Sequence, residues 1–206
     1  MAQYTLNPPL NETDVPDSPR PLLEAWLADA AAVPMQEPTA MTLATVGADG
    51  QPSARIVLFK GFHQDQLTFY TNYESHKGRD LAANPRVALT FWWDRLERQV
   101  RVEGRVEKLP EELSHRYFYR RIRESQIGAL TSRQSQVVAT RAELDARFDD
   151  NAQRYAGTEV PRPAFWGGYG VTPALVEFWQ GRHGRLHDRL QYRRSGDGWI
   201  LERLEP

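Results

Sequence analysis

RQVRVEGRVEKL, residues 98–109, sets Val100, Val102 and Val106 on one parity and Gln99, Arg101, Glu103, Arg105 and Glu107 on the other. A period of two with one charged face belongs to an antiparallel strand buried on one side only. Gly104 falls on the apolar parity, where it marks a bulge or a close backbone approach.

Strands continue in both directions from this one. Upstream, MTLATV (41–46), SARIVLFK (53–60), LTFYTN (67–72) and RVALTFWW (86–93) are separated by the turn signals GADG (47–50) and GFHQDQ (61–66) and by a helical segment. Downstream, ALVEFWQ (174–180) precedes RLQYRR (189–194) and WILERL (199–204), the last two joined by SGDG. Helices fall between the strands. Leu22, Leu23, Trp26, Leu27 and Ala30 recur at helical spacing over residues 21–32. SHKGRDLAANP (75–85) opens on the N-cap Ser75 and stops before Pro85. PEELSHRYFYRR (110–121) starts at Pro110, with Leu113, Tyr117 and Phe118 on one side. Thr140 and Glu143 form a capping-box pattern for a helix through about Phe148. The expected fold is mainly β with flanking helices, an antiparallel barrel or roll. Residues 1–20, rich in Pro, Asn and Asp, read as an extended or mobile arm before a single domain over 21–206.

Composition narrows the function classes. A net charge of −1 argues against a general nucleic-acid or membrane-surface binder. The absence of cysteine excludes disulfides, thiolate metal sites and a cysteine nucleophile. The N-terminal sequence lacks a basic and apolar leader pattern, and no apolar run approaches membrane-spanning length, so a soluble cytoplasmic protein is expected. His63, His76, His115, His183 and His187 form no metal-ligand pattern, and no glycine-rich phosphate loop is present.

Positive charge is concentrated locally. Lys77 and His76 sit in the first turn after Ser75, where a helix N-terminus attracts anions; taken alone, the segment reads better as a solvated helix start. Arg55 and Lys60 flank the four apolar residues Ile56, Val57, Leu58 and Phe59, as basic residues do where a buried strand re-enters water. Tyr117 and Arg121 lie four apart on a helical pattern, with Ser125 one turn on if the helix persists. That face suits a phosphomonoester, or is an arginine-rich surface helix. In GRLHDR (184–189), an extended chain projects Arg185, His187 and Arg189 from one face, close after Trp179. So one-sided a charge beside an aromatic favours a flat anionic ligand.

RIVLFKG, FYTNYESHKGRDLAANPR, ERQVRVEGRVE, SQIGAL, VPRP, FWGGY and EFWQGR together resemble the FMN-dependent pyridoxine/pyridoxamine 5′-phosphate oxidases, from about Pro38 to Pro206. The resemblance implies an FMN-binding split β-barrel of Greek-key type, working as a homodimer with FMN between subunits. It implies oxidation of pyridoxamine or pyridoxine 5′-phosphate to pyridoxal 5′-phosphate, in vitamin B6 biosynthesis or salvage, with O2 as acceptor and H2O2 as by-product. It places Arg55, Ile56, Val57, Leu58, Lys60, Tyr70, Thr71, His76, Lys77, Gln99, Gln134, Ser135, Trp179 and Arg189 at the cofactor. Lys60, Tyr117, Arg121 and Ser125 would hold the substrate phosphate. Arg185 and His187 would hold the pyridine ring and are the expected catalytic residues. Three positions depart from the family pattern: His76 replaces Arg, Ile122 replaces Pro, and Leu130 replaces Trp. The arm also lacks the basic and tyrosine pattern that covers the family's substrate site. Two other readings remain: the same barrel acting on a phenazine precursor, and a non-catalytic flavin-binding protein.

Overall fold

The computed structural model describes Tyr4 and residues 6–206. Nine strands form one antiparallel sheet with five helices around it. The strands are β1 (Ala40–Val46), β2 (Pro52–Leu58), β3 (Phe62–His63), β4 (Gln66–Asn72), β5 (Arg86–Trp93), β6 (Arg98–Lys108), β7 (Trp166–Gln180), β8 (Asp188–Ser195) and β9 (Gly198–Arg203). The helices are α1 (Pro19–Ala32), α2 (His76–Ala83), α3 (Glu111–Tyr119), α4 (Arg123–Thr131) and α5 (Arg141–Arg154). The strand order is β2-β1-β5-β6-β7-β4-β3, with β8 added to β7 and β9 to β8. The two ends of the path approach where Lys60 N donates to Thr68 O at 2.9 Å and Thr68 N to Gly61 O at 3.0 Å. This partial closure gives the expected split barrel.

β6 behaves as its alternation dictates. Val100 and Val102 are fully buried and Val106 nearly so. At Gly104 both expected roles occur together. The register against β7 shifts between Glu103 and Gly104, and a Cβ there would lie 2.2 Å from the Thr172 carbonyl oxygen. The bulge bends β6 around the core of Met41, Leu43, Phe69, Leu89, Phe91, Val171 and Phe178. Trp26 of α1 seals one side of that core, edge-on to Phe178 at 5.1 Å, with the Arg98 guanidinium 4.5 Å above its ring. A second cluster, Phe118, Ile127, Val160 and Trp166, joins α3, α4 and α5 to the start of β7.

Several boundaries differ from the sequence reading. α5 runs to Arg154, six residues beyond Phe148, although its cap is the expected one: the Thr140 hydroxyl accepts from Glu143 N at 3.1 Å. β7 starts at Trp166, eight residues before ALVEFWQ, because the glycine-rich WGGYG pairs with β4. Of the expected arm, residues 1–3 and 5 lie outside the described residues. Residues 6–18 run along the barrel. Leu10 N donates to Asp188 Oδ2 at 3.0 Å, Gln180 Nε2 to Pro8 O at 2.7 Å, and the Tyr192 hydroxyl to Pro16 O at 2.7 Å. Arg203 binds Glu12 through two nitrogens, at 2.7 and 2.9 Å. No helix among the described residues is long and apolar enough to cross a membrane.

Candidate functional site

The end of β4, the start of α2, the α3–α4 pair and the start of β7 enclose a cleft of roughly 450 Å³. Ser75 fixes its floor. The hydroxyl accepts from Gly78 N at 3.2 Å and donates to Asn72 O at 2.7 Å, tying the first turn of α2 to the last residue of β4. A Cβ on Gly78 would come within 2.0 Å of the Tyr73 carbonyl oxygen, so only glycine lets the helix sit this close.

Lys77 projects from that turn into the cleft and is 8% exposed. Its ammonium donates to Gln134 Oε1 at 2.8 Å, Thr71 Oγ1 at 3.2 Å and Ser75 Oγ at 3.4 Å, all neutral acceptors. Burial, and secondarily the charge of Arg55, push its pKa down to about 8. Arg121 enters from the opposite wall. Its guanidinium lies 4.7 Å over the Trp166 ring, and its buried Nη1 has no hydrogen-bond partner. Burial lowers its pKa too. Tyr70 and Tyr117 stack at 3.9 Å, and both lie nearly parallel to Trp166, at 5.9 and 6.2 Å. Lys60, Ile56, Val57, Leu58, Thr71, Ser125 and Gln134 complete much of the lining. Three cations, Lys60, Lys77 and Arg121, face this space and no carboxylate does. Buried cations with neutral partners and one orphaned donor call for an anion; the parallel rings suit a flat one. The residues thus fit a phosphorylated aromatic cofactor such as FMN on their chemistry alone.

Tyr117, Arg121 and Ser125 meet here by a different route from the one expected. α3 ends at Tyr119 and α4 begins at Arg123, so a break at Arg121 and Ile122, not one continuous helix, brings the three together. Ile122 N-caps α4 with φ −60°, an angle proline also adopts, and is 70% exposed. Leu130 packs against the second core cluster. Arg55 and His76 stand behind Lys77 and flank the buried Asp80. Arg55 Nη2 is 3.6 Å from Asp80 Oδ2, and His76 Nε2 is 3.5 Å from Oδ1. Ser135, exposed at φ 71°, follows Gln134 outside the lining.

The remaining expected residues gather elsewhere. Gln99, Trp179 and Arg189 are neighbours in register across β6, β7 and β8, with Trp92 opposite Gln99. His187 lies 4.6 Å from Trp179, and its Nδ1 accepts from Arg182 N at 3.1 Å. Burial, then the charge of Arg185, lower the His187 pKa. Two expectations about GRLHDR need correction. Residues His183–Arg185 form a 3-10 turn, with Gly184 at φ 69° and Arg185 at φ 64°, and the strand begins only at Asp188. Arg185 therefore leaves an exposed turn and does not share a strand face with His187 and Arg189. The local charge is also partly offset, by one acid from a neighbouring strand and by Asp188 of the segment itself. Buried Glu177 takes Arg189 at 2.9 Å and Arg101 at 3.1 Å, while Asp188 takes Arg203 at 2.9 Å and Arg182 at 3.5 Å.

Tyr4 and Trp92 escaped the sequence reading. The Tyr4 ring meets Trp179 and His187 edge-on, each at 5.6 Å, so the arm does bring a tyrosine to this patch. Trp92 remains 48% exposed and lies 5.9 Å from Trp179. A large apolar residue on the polar parity of RVALTFWW was the available signal. Among the described residues no group of three or more histidines and carboxylates is placed to hold a metal ion.

Known proteins are similar to this chain over nearly its whole length. The family model described as pyridoxamine 5′-phosphate oxidase matches residues 27–154. A second, described as the pyridoxine 5′-phosphate oxidase C-terminal dimerisation region, matches 166–206. Proteins named pyridoxine/pyridoxamine 5′-phosphate oxidase from Bordetella petrii and Acaryochloris marina are 57% and 55% identical. Each alignment covers 96% of this chain, and 93% and 90% of theirs. The crystal structure of PhzG from Burkholderia lata, in complex with tetrahydrophenazine-1-carboxylic acid, superposes with TM-score 0.89 at 31% identity. That match covers 94% of this chain and 95% of PhzG. An FMN-binding protein from Nostoc punctiforme shares the fold, with TM-score 0.73 at 18% identity over 91% of this chain and 97% of its own. On these matches the chain belongs to the pyridoxamine 5′-phosphate oxidase family.

Proposed function

We propose that this protein is an FMN-dependent oxidase converting pyridoxamine 5′-phosphate or pyridoxine 5′-phosphate to pyridoxal 5′-phosphate. The observation that carries the reading is the cleft with three cations, no carboxylate and an unpartnered buried Arg121 nitrogen. FMN, when bound, supplies the hydride acceptor and the site at which O2 is reduced to H2O2.

Each group has a task under this reading. Lys77, backed by Arg55 and His76, neutralises the FMN phosphate, with Thr71, Gln134 and Ser135 beside it. Ile56, Val57 and Leu58 offer an apolar wall to the ring, with Tyr70 alongside. Lys60, Arg121, Tyr117 and Ser125 hold the substrate phosphate, a forked cation and an ammonium joined by two hydroxyls. Arg185 and His187 orient the pyridine ring, and His187 presents a proton at Nε2 because Nδ1 accepts from Arg182 N.

A second copy of the chain completes the site. Trp166 borders the cleft and Trp179 the second patch, thirteen residue steps further along β7. At ~3.3 Å per residue this is roughly 40 Å along the strand, too far for one ligand to touch both. Around the two patches, Ile56, Trp92 and Leu186 stay exposed at 62%, 48% and 75%. Their position beside the two patches supports an interface there. In a twofold homodimer the Gln99, Trp179, Arg185, His187 and Arg189 patch of each copy faces the cleft of the other.

The closeness to PhzG keeps a phenazine precursor as a second reading. Purified FMN-loaded protein, given pyridoxamine 5′-phosphate in air, is expected to release peroxide and form the aldehyde. Bound FMN with neither vitamer consumed would overturn the vitamer assignment and favour the phenazine reading.

A further inference from the structure

Arg121 enters the cleft with no carboxylate to hold it, and its Nη1 is unpartnered. Its aim depends on the ring beneath it and on the backbone that carries it. Trp166, 4.7 Å from the guanidinium, fixes the plane. The backbone is the short break between α3, which ends at Tyr119, and α4, which begins at Arg123. A helix that stops leaves its last carbonyls without helical partners. Here the side-chain amide of Gln126, in the first turn of α4 and 9% exposed, reaches back across the break. It donates to Phe118 O at 3.3 Å and to Arg121 O at 3.0 Å. Two carbonyls can only accept, so the NH2 side of the amide must face them. Among the described residues no other side chain donates to a carbonyl of residues 117–122. The clamp is anchored, because the next residue, Ile127, is buried in one cluster with Phe118 and Trp166.

We propose that Gln126 is a positioning residue for recognition of the substrate phosphate: its amide holds the α3–α4 break at the setting in which Arg121 aims its free nitrogen into the cleft. The inference rests on the function proposed above, in which Arg121 grips that phosphate. Gln126 is not among the residues lining the cleft, so it acts through Arg121 and not by touching the ligand. Ile122 cannot replace the clamp. Its side chain is 70% exposed, and its φ is not fixed by a ring as that of proline is. A displacement of about 1 Å takes a donor out of hydrogen-bond range. Without the amide the guanidinium is free to drift by that much, which weakens the hold on the phosphate and leaves the chemistry at the flavin intact.

A double-mutant cycle on the full-length, FMN-loaded protein tests this, with pyridoxamine 5′-phosphate as substrate in air. Gln126→Met keeps the length of the side chain and removes the donor. It is expected to raise KM about tenfold or more while kcat stays within about twofold. FMN affinity, read by quenching of flavin fluorescence, is expected to stay at the wild-type value. Arg121→Gln is expected to raise KM as well, and adding Gln126→Met to it to change KM by less than about twofold, because the residue being aimed is gone. If Gln126→Met does not fold, Gln126→Asn, whose amide falls one methylene short, takes its place in the cycle. An equal rise in KM with and without Arg121 would overturn the inference and leave the proposed function standing, as would a Gln126 variant that loses kcat and FMN together. Arg121→Gln with an unchanged KM would instead overturn the assignment of Arg121 to the substrate phosphate, and the inference with it.

Discussion

Lys77 pays a standing cost that Lys77→Met should reveal. The ammonium is buried among neutral acceptors, and its pKa falls from 10.5 to about 8. At ~1.4 kcal/mol per pH unit that gap is worth at most ~3 kcal/mol against the folded, ligand-free protein. The cleft is open to water, which screens the charge, so about 1–2 kcal/mol is the realistic figure. Methionine keeps the apolar stem and removes the charge. At pH 7 the variant is expected to gain about 1 kcal/mol in urea unfolding without ligand. The sign of the pH dependence follows from the lowered pKa. Below pH 8 folded and unfolded wild type both hold the proton, and the penalty is constant. Between about pH 8 and 10.5 only the unfolded chain holds it, so wild-type stability rises with pH and the advantage of Lys77→Met fades. FMN affinity, read by quenching of flavin fluorescence, is expected to fall about 10- to 100-fold with the loss of a charged donor. A variant less stable than wild type by more than about 1 kcal/mol, yet binding FMN as tightly, would refute this account of Lys77.

Other substitutions test the frame. Ile122→Pro places proline where φ is already −60°, and is expected to raise stability by about 0.4–1 kcal/mol in thermal melts. Gly104→Ala sets a Cβ 2.2 Å from the Thr172 carbonyl oxygen; a loss of about 1–3 kcal/mol in urea is expected. Glu177→Gln strips the shared carboxylate from Arg101 and Arg189. Because both arginines reach solvent, the loss should be about 2 kcal/mol, less than for a fully buried pair. NMR titration should put the His187 pKa below 6.5, with protonation at low pH breaking its Nδ1 hydrogen bond.

The barrel was legible because its strands carry their burial in plain alternation, as Val100, Val102 and Val106 do. The start of α2 was legible through Ser75, whose capping role is local chemistry, but its place in the cleft was not, because Lys77 in that turn read as a solvated helix start until the rest of the chain was folded around it. Other features depend on long-range contacts that local pattern does not encode. Glycines hid the first half of β7, because WGGYG has little apolar periodicity and is a strand only by pairing with β4. The charge of GRLHDR looked one-sided because Glu177, which pairs with Arg189, lies outside that segment and reaches it only through sheet register. Arg185 and His187 alternate in sequence, but two left-handed residues turn the chain before the strand starts. The family resemblance named both patches and implied a homodimer; the separation along β7 is a property of the folded chain, and under the proposed function it calls for two copies.

The central claim is that one catalytic site is assembled from the cleft of one chain and the patch of another, and subunit complementation tests it most directly. Arg121→Ala and Arg185→Ala are each expected to be nearly inactive alone. After unfolding and refolding together, half the dimers are mixed and each mixed dimer has one intact site. Activity should recover to about a quarter of wild type. No recovery, with mixed dimers demonstrated by mass spectrometry, would contradict the claim and place both arginines in the service of the same chain's site.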